Sequence, residues 1–441
     1  MLKDIFKGYD IRGIYPDELD EDVAYRIGRA FVILNNVKEV AVGHDMRESS
    51  PKLHDALVKG ITDQGADVVE LGLCSTPMFT FAAKFYDFQS AISVTASHNP
   101  GRYNGFKMYA NNRFLNYEQG ISQIAEKIED LPELTGEKGN VSKKEIMNDY
   151  IKHVLSFIDE IPDMKIVIDT GNGMAGYTIP KIFEDSSLEI VPLYFKLDGN
   201  FPNHEANPIK PENIQDLVNA VKKEKVDFGV AFDGDADRIM FCDEKGEIIS
   251  SDIIGLMIAL DYLEKKNEKV LFDLRSTKAA REEVEKKGGT FVMSRVGHAY
   301  IKETMKKQDI IFGAELSGHY YYKENFFMDS GIITLLKVLA YLKKHDKPIS
   351  ELVKPLKRYY HSGEINFEVH DKDAKIQQIK NHYAVAQMHE LDGLTVEFDG
   401  WWFNVRKSNT EPVLRLILEA ESRQMMDSKL DEVVSLINSN V

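Results

Sequence analysis

Three carboxylates stand at alternate positions in the run Phe232-Asp233-Gly234-Asp235-Ala236-Asp237-Arg238, directly after the apolar stretch Phe228-Gly229-Val230-Ala231. Side chains two residues apart share a direction in extended chain, so Asp233, Asp235 and Asp237 are expected to converge at the mouth of a buried strand. Converging acids repel one another, and a divalent cation held by oxygen ligands relieves the repulsion. A second candidate lies earlier. Ala91-Ile92-Ser93-Val94 reads as a buried strand entering Thr95-Ala96-Ser97-His98-Asn99-Pro100-Gly101, a tight turn by its Asn-Pro-Gly content. Open α/β sheets bind ligands at the carboxyl ends of their strands. Ser97 there is a nucleophile or phosphoryl carrier, with His98 or Lys107 near in sequence to manage charge and protons, or else an ordinary member of a polar turn.

The elements that must position these residues repeat one theme. Residues 39–44 read as a strand ending at Asp45, followed by a helix near 51–64 and a strand at 67–71. The same order returns over 165–194, where the first strand ends at Asp169, and over 269–294, where it ends at Asp273. Strand, helix and strand in succession imply right-handed crossovers and a mainly parallel sheet, hence three related α/β domains. Residues 132–146 are rich in Pro, Gly and charge and read as a linker. The spacing of Met147, Tyr150, Ile151, Val154, Leu155 and Ile158 predicts an amphipathic helix opening the second domain. The last stretch differs in kind. Residues 395–398 and 401–405 flank Asp399-Gly400, a strong hairpin signal, and a strand at 412–420 and a helix at 425–437 complete an α+β unit. The expected boundaries are 1–146, 147–250, 251–358 and 359–441.

Composition narrows the functional classes. The 441-residue chain is 43% hydrophobic, enough for several cores. Its net charge of −16 argues against nucleic acid or anionic membrane as partners, so any anion must meet local basic residues. Cys74 and Cys242, each in or beside an apolar run, offer neither a disulfide framework nor a thiolate zinc site. With no long apolar run at the N-terminus or elsewhere, a cytoplasmic protein is expected.

The motifs carry a resemblance. Thr95-Ala96-Ser97-His98-Asn99-Pro100 with Tyr103-Asn104-Gly105-Phe106-Lys107 resembles the phosphoserine loop of the α-D-phosphohexomutase superfamily, in its phosphomannomutase/phosphoglucomutase branch. Asp233 to Arg238 is similar to the magnesium loop, Gly313-Ala314-Glu315-Leu316-Ser317-Gly318-His319 to the sugar-recognition loop, and Arg406-Lys407-Ser408-Asn409-Thr410-Glu411-Pro412 to the phosphate-binding loop. Tyr9-Asp10-Ile11-Arg12-Gly13 matches as well. The resemblance spans the chain, with motifs in the expected order.

It implies three similar α/β domains with mixed, mainly parallel sheets and a C-terminal α+β domain around a central cleft. It also implies one magnesium ion held by phosphorylated Ser97 with Asp233, Asp235 and Asp237. Arg12, Lys107 and Arg238 become stabilisers of the transferring phosphoryl group, with Lys107 and His298 as candidates for proton transfer and His98 beside the carrier. Glu315, Ser317 and His319, at alternate positions, would aim together at sugar hydroxyls. Arg406, Ser408, Asn409 and Thr410 would clamp the phosphate that is not being transferred. The implied reaction exchanges hexose 6- and 1-phosphates through a hexose 1,6-bisphosphate, which is also the activator, in a monomer or homodimer. The Ser-Gly-His ending with Asp329-Ser330-Gly331 resembles enzymes acting on mannose and glucose phosphates, whereas Ser294-Arg295 stands where that branch would carry lysine or threonine.

Other readings compete. Phosphoglucosamine mutase is the neighbouring branch. Gly171-Asn172-Gly173-Met174-Ala175-Gly176 fits a dinucleotide fingerprint, although Asp169 just ahead would repel a pyrophosphate, and tight packing of a turn explains those glycines as well. Asp233, Asp235, Asp237 and Glu244 match part of a calcium loop, but position six is Arg238 and the flanks are strand-like. An aspartyl-phosphate hydrolase with Asp233 as nucleophile is the remaining alternative. Arg47 reads equally as a cleft residue or a surface one.

Overall fold

The computed structural model describes residues 2–134, 136–264, 267–408 and 413–439. The chain forms two compact units. One holds the chain up to Ser250 together with Ser317–Ser350, and the other holds Ser251–Leu316 together with the chain from Glu351 on.

In the first unit, a sheet runs in the order Ile11–Ile14, Tyr103–Ala110, Ser90–Val94, Glu39–His44, Asp67–Leu73 and Val141–Lys143. Glu39–His44 pairs in parallel with Ser90–Val94 and Asp67–Leu73, and Tyr103–Ala110 runs antiparallel to Ser90–Val94 and Ile11–Ile14. The apolar positions of helices Glu21–Asn35 and Ser50–Asp63 bury against this sheet in one continuous core with Val40, Val42, Ile92 and Phe106. The two helices meet backbone to backbone at Gly60, where a Cβ would come within 2.1 Å of the Tyr25 carbonyl oxygen. The 132–146 stretch is not a bare linker, because Val141–Lys143 adds a parallel edge strand beside Asp67–Leu73. All three of its residues are exposed, so no burial pattern marks it in the sequence.

A second sheet in this unit runs Ile248–Ile249, Ile239–Asp243, Phe228–Phe232, Lys165–Asp169 and Glu189–Leu193. Phe228–Phe232 and Ile239–Asp243 are buried throughout and pair antiparallel, with the Asp233 to Arg238 turn between them. Helix Gly331–His345, capped by Ser330, packs its first residue on Phe232, where a Cβ would meet the ring at 2.9 Å.

In the second unit, Lys269–Asp273 pairs in parallel with Thr290–Ser294 and Phe312–Ala314. The C-terminal sheet is antiparallel, and Leu394–Phe398 and Trp401–Lys407 form the expected hairpin with Gly400 at φ 78°. Helices Lys372–His382 and Arg423–Asn438 contribute Ile379, Met426, Val433 and Ile437 to its core.

The strand, helix and strand repeat is present three times, and so is a finer feature. Each first strand ends in a buried aspartate whose Oδ1 accepts the N–H two residues on: Asp45 from Arg47 at 3.0 Å, Asp169 from Gly171 at 2.8 Å, and Asp273 from Arg275 at 2.7 Å. The loops of interest are topologically equivalent. Each follows the strand paired in parallel beside the first: Ser90–Val94 leads to Ser97, Phe228–Phe232 to Asp233, and Phe312–Ala314 to Glu315.

Candidate active site

Within the first unit, three segments distant in sequence converge on the acidic turn. Asp233, Asp235 and Asp237 are buried, and one oxygen of each lies within 4.8 Å of the others. Convergence does not come from extended chain as the alternation suggested. Residues 233–238 form a turn in which Ala236 adopts a left-handed φ of 65° and donates its N–H to the Asp233 carbonyl at 3.2 Å. The GxGxxG stretch backs this turn. Met174 N–H donates to Gly234 O at 2.9 Å, and a Cβ on Gly173 would sit 2.7 Å from the same oxygen. Tight packing is therefore the use of these glycines, and Asp169 already occupies the Gly171 N–H.

Each carboxylate has distinct partners. Asp233 Oδ2 accepts from Ser97 Oγ at 3.0 Å, and its Oδ1 accepts from Arg238 N–H at 3.1 Å. Asp235 Oδ2 accepts from Lys107 Nζ at 2.7 Å and from Thr76 Oγ1 at 2.5 Å. Asp237 Oδ2 accepts from Lys107 Nζ at 2.7 Å, while its Oδ1 faces His319 Nε2 at 3.4 Å. Oδ1 of Asp235 and Oδ1 of Asp237 are buried without a hydrogen-bond partner among the described residues. Two orphaned carboxylate oxygens in a cluster with one ammonium fit a hard divalent cation.

The charges act on one another. Burial, with repulsion from Asp237 and Asp235, raises the Asp233 pKa well above the carboxylate range. Burial alone would lower the Lys107 ammonium, but Asp235 and Asp237 outweigh it and hold the lysine protonated. His98, whose Nδ1 is 3.2 Å from Ser97 Oγ, is pushed well below the usual imidazole value by burial and by Arg238 and Arg12. Arg12 sits on the strand Ile11–Ile14, binds Asp10 through Nε at 2.8 Å and donates through Nη1 to Asn99 Oδ1 at 2.7 Å. Arg238 Nε lies 3.3 Å from His319 Nε2, and Ser317 Oγ lies 2.9 Å from His319 Nδ1.

Glu315, Ser317 and His319 do not share one set of partners. Glu315 is in the second unit, where its Oε1 accepts from Gly297 N–H at 3.2 Å and faces Arg275 Nη2 at 3.4 Å. Gly297 immediately precedes His298, which opens the helix His298–Gln308. The departing residue Arg295 stacks its guanidinium 4.4 Å from the Tyr300 ring centroid. Arg406, on the strand Trp401–Lys407, is buried and binds Glu364 at 2.5 Å, and Glu364 also binds Arg415 and faces Arg275. Ser408 N–H donates to Val413 O at 3.0 Å, and Asn409 and Thr410 lie outside the described residues.

Domain models described as phosphoglucomutase/phosphomannomutase match in order: alpha/beta/alpha domain I over residues 3–133, domain II over 148–246, domain III over 250–359 and the C-terminal domain over 364–436. The chain belongs to the phosphoglucomutase/phosphomannomutase family. It is a phosphohexomutase, an isomerase with three similar α/β domains and a C-terminal domain. It is 40% identical to a phosphomannomutase of Vibrio cholerae, covering 98% of each chain, and 38% identical to one of Methanocaldococcus jannaschii, covering 98% of this chain and 97% of that one. A phosphoglucomutase/phosphomannomutase family protein of Burkholderia thailandensis superposes with a TM-score of 0.91 at 32% identity, covering 99% of this chain and 97% of that one.

Thr76 meets the acidic cluster with no signal in the sequence, whereas Arg47, for which cleft and surface readings stood equal, is buried. Thr76 caps no motif, and nothing in the sequence ties it to Asp235, 159 residues on. Arg47 had a signal in the repeated Asp-x-Arg of Asp45-Met46-Arg47 and Asp273-Leu274-Arg275. No helix among the described residues is long and apolar enough to cross a membrane. Cys74 and Cys242 are buried free thiols that burial pushes up to about 12, inert at neutral pH.

Proposed function

We propose that the enzyme interconverts the 6- and 1-phosphates of mannose, and also of glucose, through phosphorylated Ser97 and a hexose 1,6-bisphosphate. One observation carries this reading: the Ser97 hydroxyl, in a buried turn, donates directly to one of three clustered carboxylates. Mg2+ held by Asp233, Asp235 and Asp237 with a phosphoryl oxygen on Ser97 would withdraw electron density from that phosphoryl group. The chain's own residues do the rest. The P–Oγ bond to Ser97 breaks as a P–O bond to a sugar hydroxyl forms. The hydroxyl proton leaves to a base, and a proton returns to Ser97 Oγ. His98, whose Nδ1 lies 3.2 Å from Ser97 Oγ, stands beside the serine to orient its hydroxyl, while burial that holds the ring neutral makes it a weak base there. Lys107, held protonated, suits charge stabilisation of the transferring group better than proton abstraction, together with Arg12 and Arg238. His298 remains the candidate at the sugar hydroxyl, Glu315, Ser317 and His319 its sugar contacts, and Arg406, Ser408, Asn409 and Thr410 the clamp for the second phosphate. The two relatives' name, phosphomannomutase, supports mannose, and the family's phosphoglucomutase/phosphomannomutase description with the Ser317-Gly318-His319 ending supports glucose as well. Two inert thiols suit a reducing cytosol.

Phosphorus NMR tests the reading, with Mg2+, a trace of glucose 1,6-bisphosphate, and mannose, glucose or glucosamine 1-phosphate in turn. Conversion of the mannose and glucose esters without inorganic phosphate is expected. Release of inorganic phosphate would point to an aspartyl-phosphate hydrolase, and preference for glucosamine 1-phosphate would reassign the branch.

A further inference from the structure

Beneath the Ser97 turn lies a side chain that touches neither the acidic cluster nor any predicted substrate contact. Arg47 is 1% exposed. A guanidinium has five N–H donors in a rigid planar fork, and all five are matched here. Nη2 donates to Ser97 O and Asn99 O at 2.7 Å each, Nη1 to Pro100 O and Tyr103 O at 2.9 Å each, and Nε to Asp45 Oδ2 at 3.2 Å. Four of the five acceptors are main-chain carbonyls, three in the turn that carries Ser97 and one at Tyr103, where the next strand begins. The Phe201 ring centroid lies 5.1 Å from the guanidinium carbon, and the backbone at Gly199 approaches that of Arg47 so closely that a Cβ there would lie 2.6 Å from Arg47 Cα.

The turn requires such a brace. Ser97 has φ 51°, a left-handed conformation that a non-glycine residue keeps only where its surroundings over-determine it. Pointing four carbonyls at one another is unfavourable without a shared donor. Asn99 joins the brace to the reacting side, since its carbonyl takes an Arg47 N–H and its Oδ1 takes one from Arg12. The third domain keeps the arginine but not the brace of carbonyls: Arg275, two residues past Asp273, binds the Asp273 carboxylate and reaches the Glu315 carboxylate at 3.4 Å. The second domain replaces the arginine with Gly171, and His204 Nε2 takes the place against Asp169 at 3.1 Å.

We infer that Arg47 is a positioning residue for phosphoryl transfer, fixing through the Ser97, Asn99, Pro100 and Tyr103 carbonyls the direction in which Ser97 Oγ faces Asp233. The inference rests on the carrier role of Ser97. Lysine cannot substitute, because an ammonium has three donors and no fork.

The test uses the full-length enzyme with Arg47→Lys and the double variant Asp45→Asn/Arg47→Met, which removes the buried charge together with its partner so that neither is stranded. The readouts are kcat, KM, phosphate bound to Ser97 after incubation with glucose 1,6-bisphosphate, and the thermal midpoint. Expected is a kcat loss of about 100-fold in both, the scale set by misplacing a reacting atom by about 1 Å, with KM within about threefold and slower phosphorylation of Ser97. A kcat within about threefold of wild type in either variant, or a loss that only tracks the unfolded fraction at the assay temperature, would overturn the inference. A wild-type enzyme that never gains phosphate on Ser97 would instead overturn the carrier reading beneath it.

Discussion

Ser97 is a small side chain in a costly backbone conformation, and the two facts belong together. Its hydroxyl makes one hydrogen bond to Asp233, worth about 1 kcal/mol to stability, while the turn is held by other groups. Ser97→Ala is therefore expected to remove turnover, by about 10⁴-fold or more, with a thermal midpoint close to wild type. Full activity in that variant would end the carrier assignment. Arg406 predicts the opposite pattern. It is held in place by Glu364, so if it clamps the phosphate that does not react, as proposed, Arg406→Ala should raise KM about 10- to 100-fold with a smaller change in kcat. An unchanged KM in steady-state assays would count against the clamp. At this scale Ser97, the three aspartates and Lys107 were legible because their motifs are local. Thr76 was not, since its partner is chosen by packing.

Elements bring charges to places that no motif marks. The N-terminus of helix Lys278–Lys286 meets a buried carboxylate from the strand Leu414–Ala420. Glu419 accepts from Thr277 Oγ1 at 2.9 Å and from Lys278 N–H at 3.0 Å. These donors favour the ionised form, yet burial and the nearby Asp252 outweigh them and push Glu419 up to about 8 from an ordinary 4.5. The folded chain then binds a proton that the unfolded chain has released between those values. This contribution to stability is fully present below pH 4.5 and is lost as pH rises through about 8, at up to about 1.4 kcal/mol per pH unit. Urea unfolding of Glu419→Gln should show a flatter decline than wild type between pH 5 and 8, and parallel curves would refute the assignment. The reading of elements succeeded where one face is buried, as in the hairpin about Asp399-Gly400. It failed at Val141–Lys143, whose three residues are exposed and carry no burial pattern.

The chain folds into two compact units, and each has its own reporter. The acidic cluster, Ser97, Lys107 and His319 all lie in the first unit, so a cation bound there stabilises that unit by mass action, about 2.7 kcal/mol at 100 times its Kd. Calorimetry is expected to resolve two transitions, with Mg2+ raising one of them and Asp235→Asn/Asp237→Asn abolishing the rise. A Mg2+ effect that survives this double substitution would place the cation elsewhere. At −16 overall, the chain keeps Arg12, Lys107, Arg238 and Arg406 each paired with a carboxylate or imidazole of its own. Local pairing keeps these cations in place without making the surface basic.

The order of residues along the chain determined the family, the three repeated units and the candidate loops that hold Ser97 and the three aspartates, because each depends on short-range spacing or on burial periodicity. Tertiary structure alone decided which groups face one another across the folds of the chain. It joined Thr76 and Lys107 to Asp235, placed Arg47 under the Ser97 turn, divided Glu315 from Ser317 and His319, and set Glu419 against a helix end. Those pairings arise from three-dimensional packing of segments far apart in sequence, where hydrogen-bond geometry and loss of water, not residue spacing, select the partner.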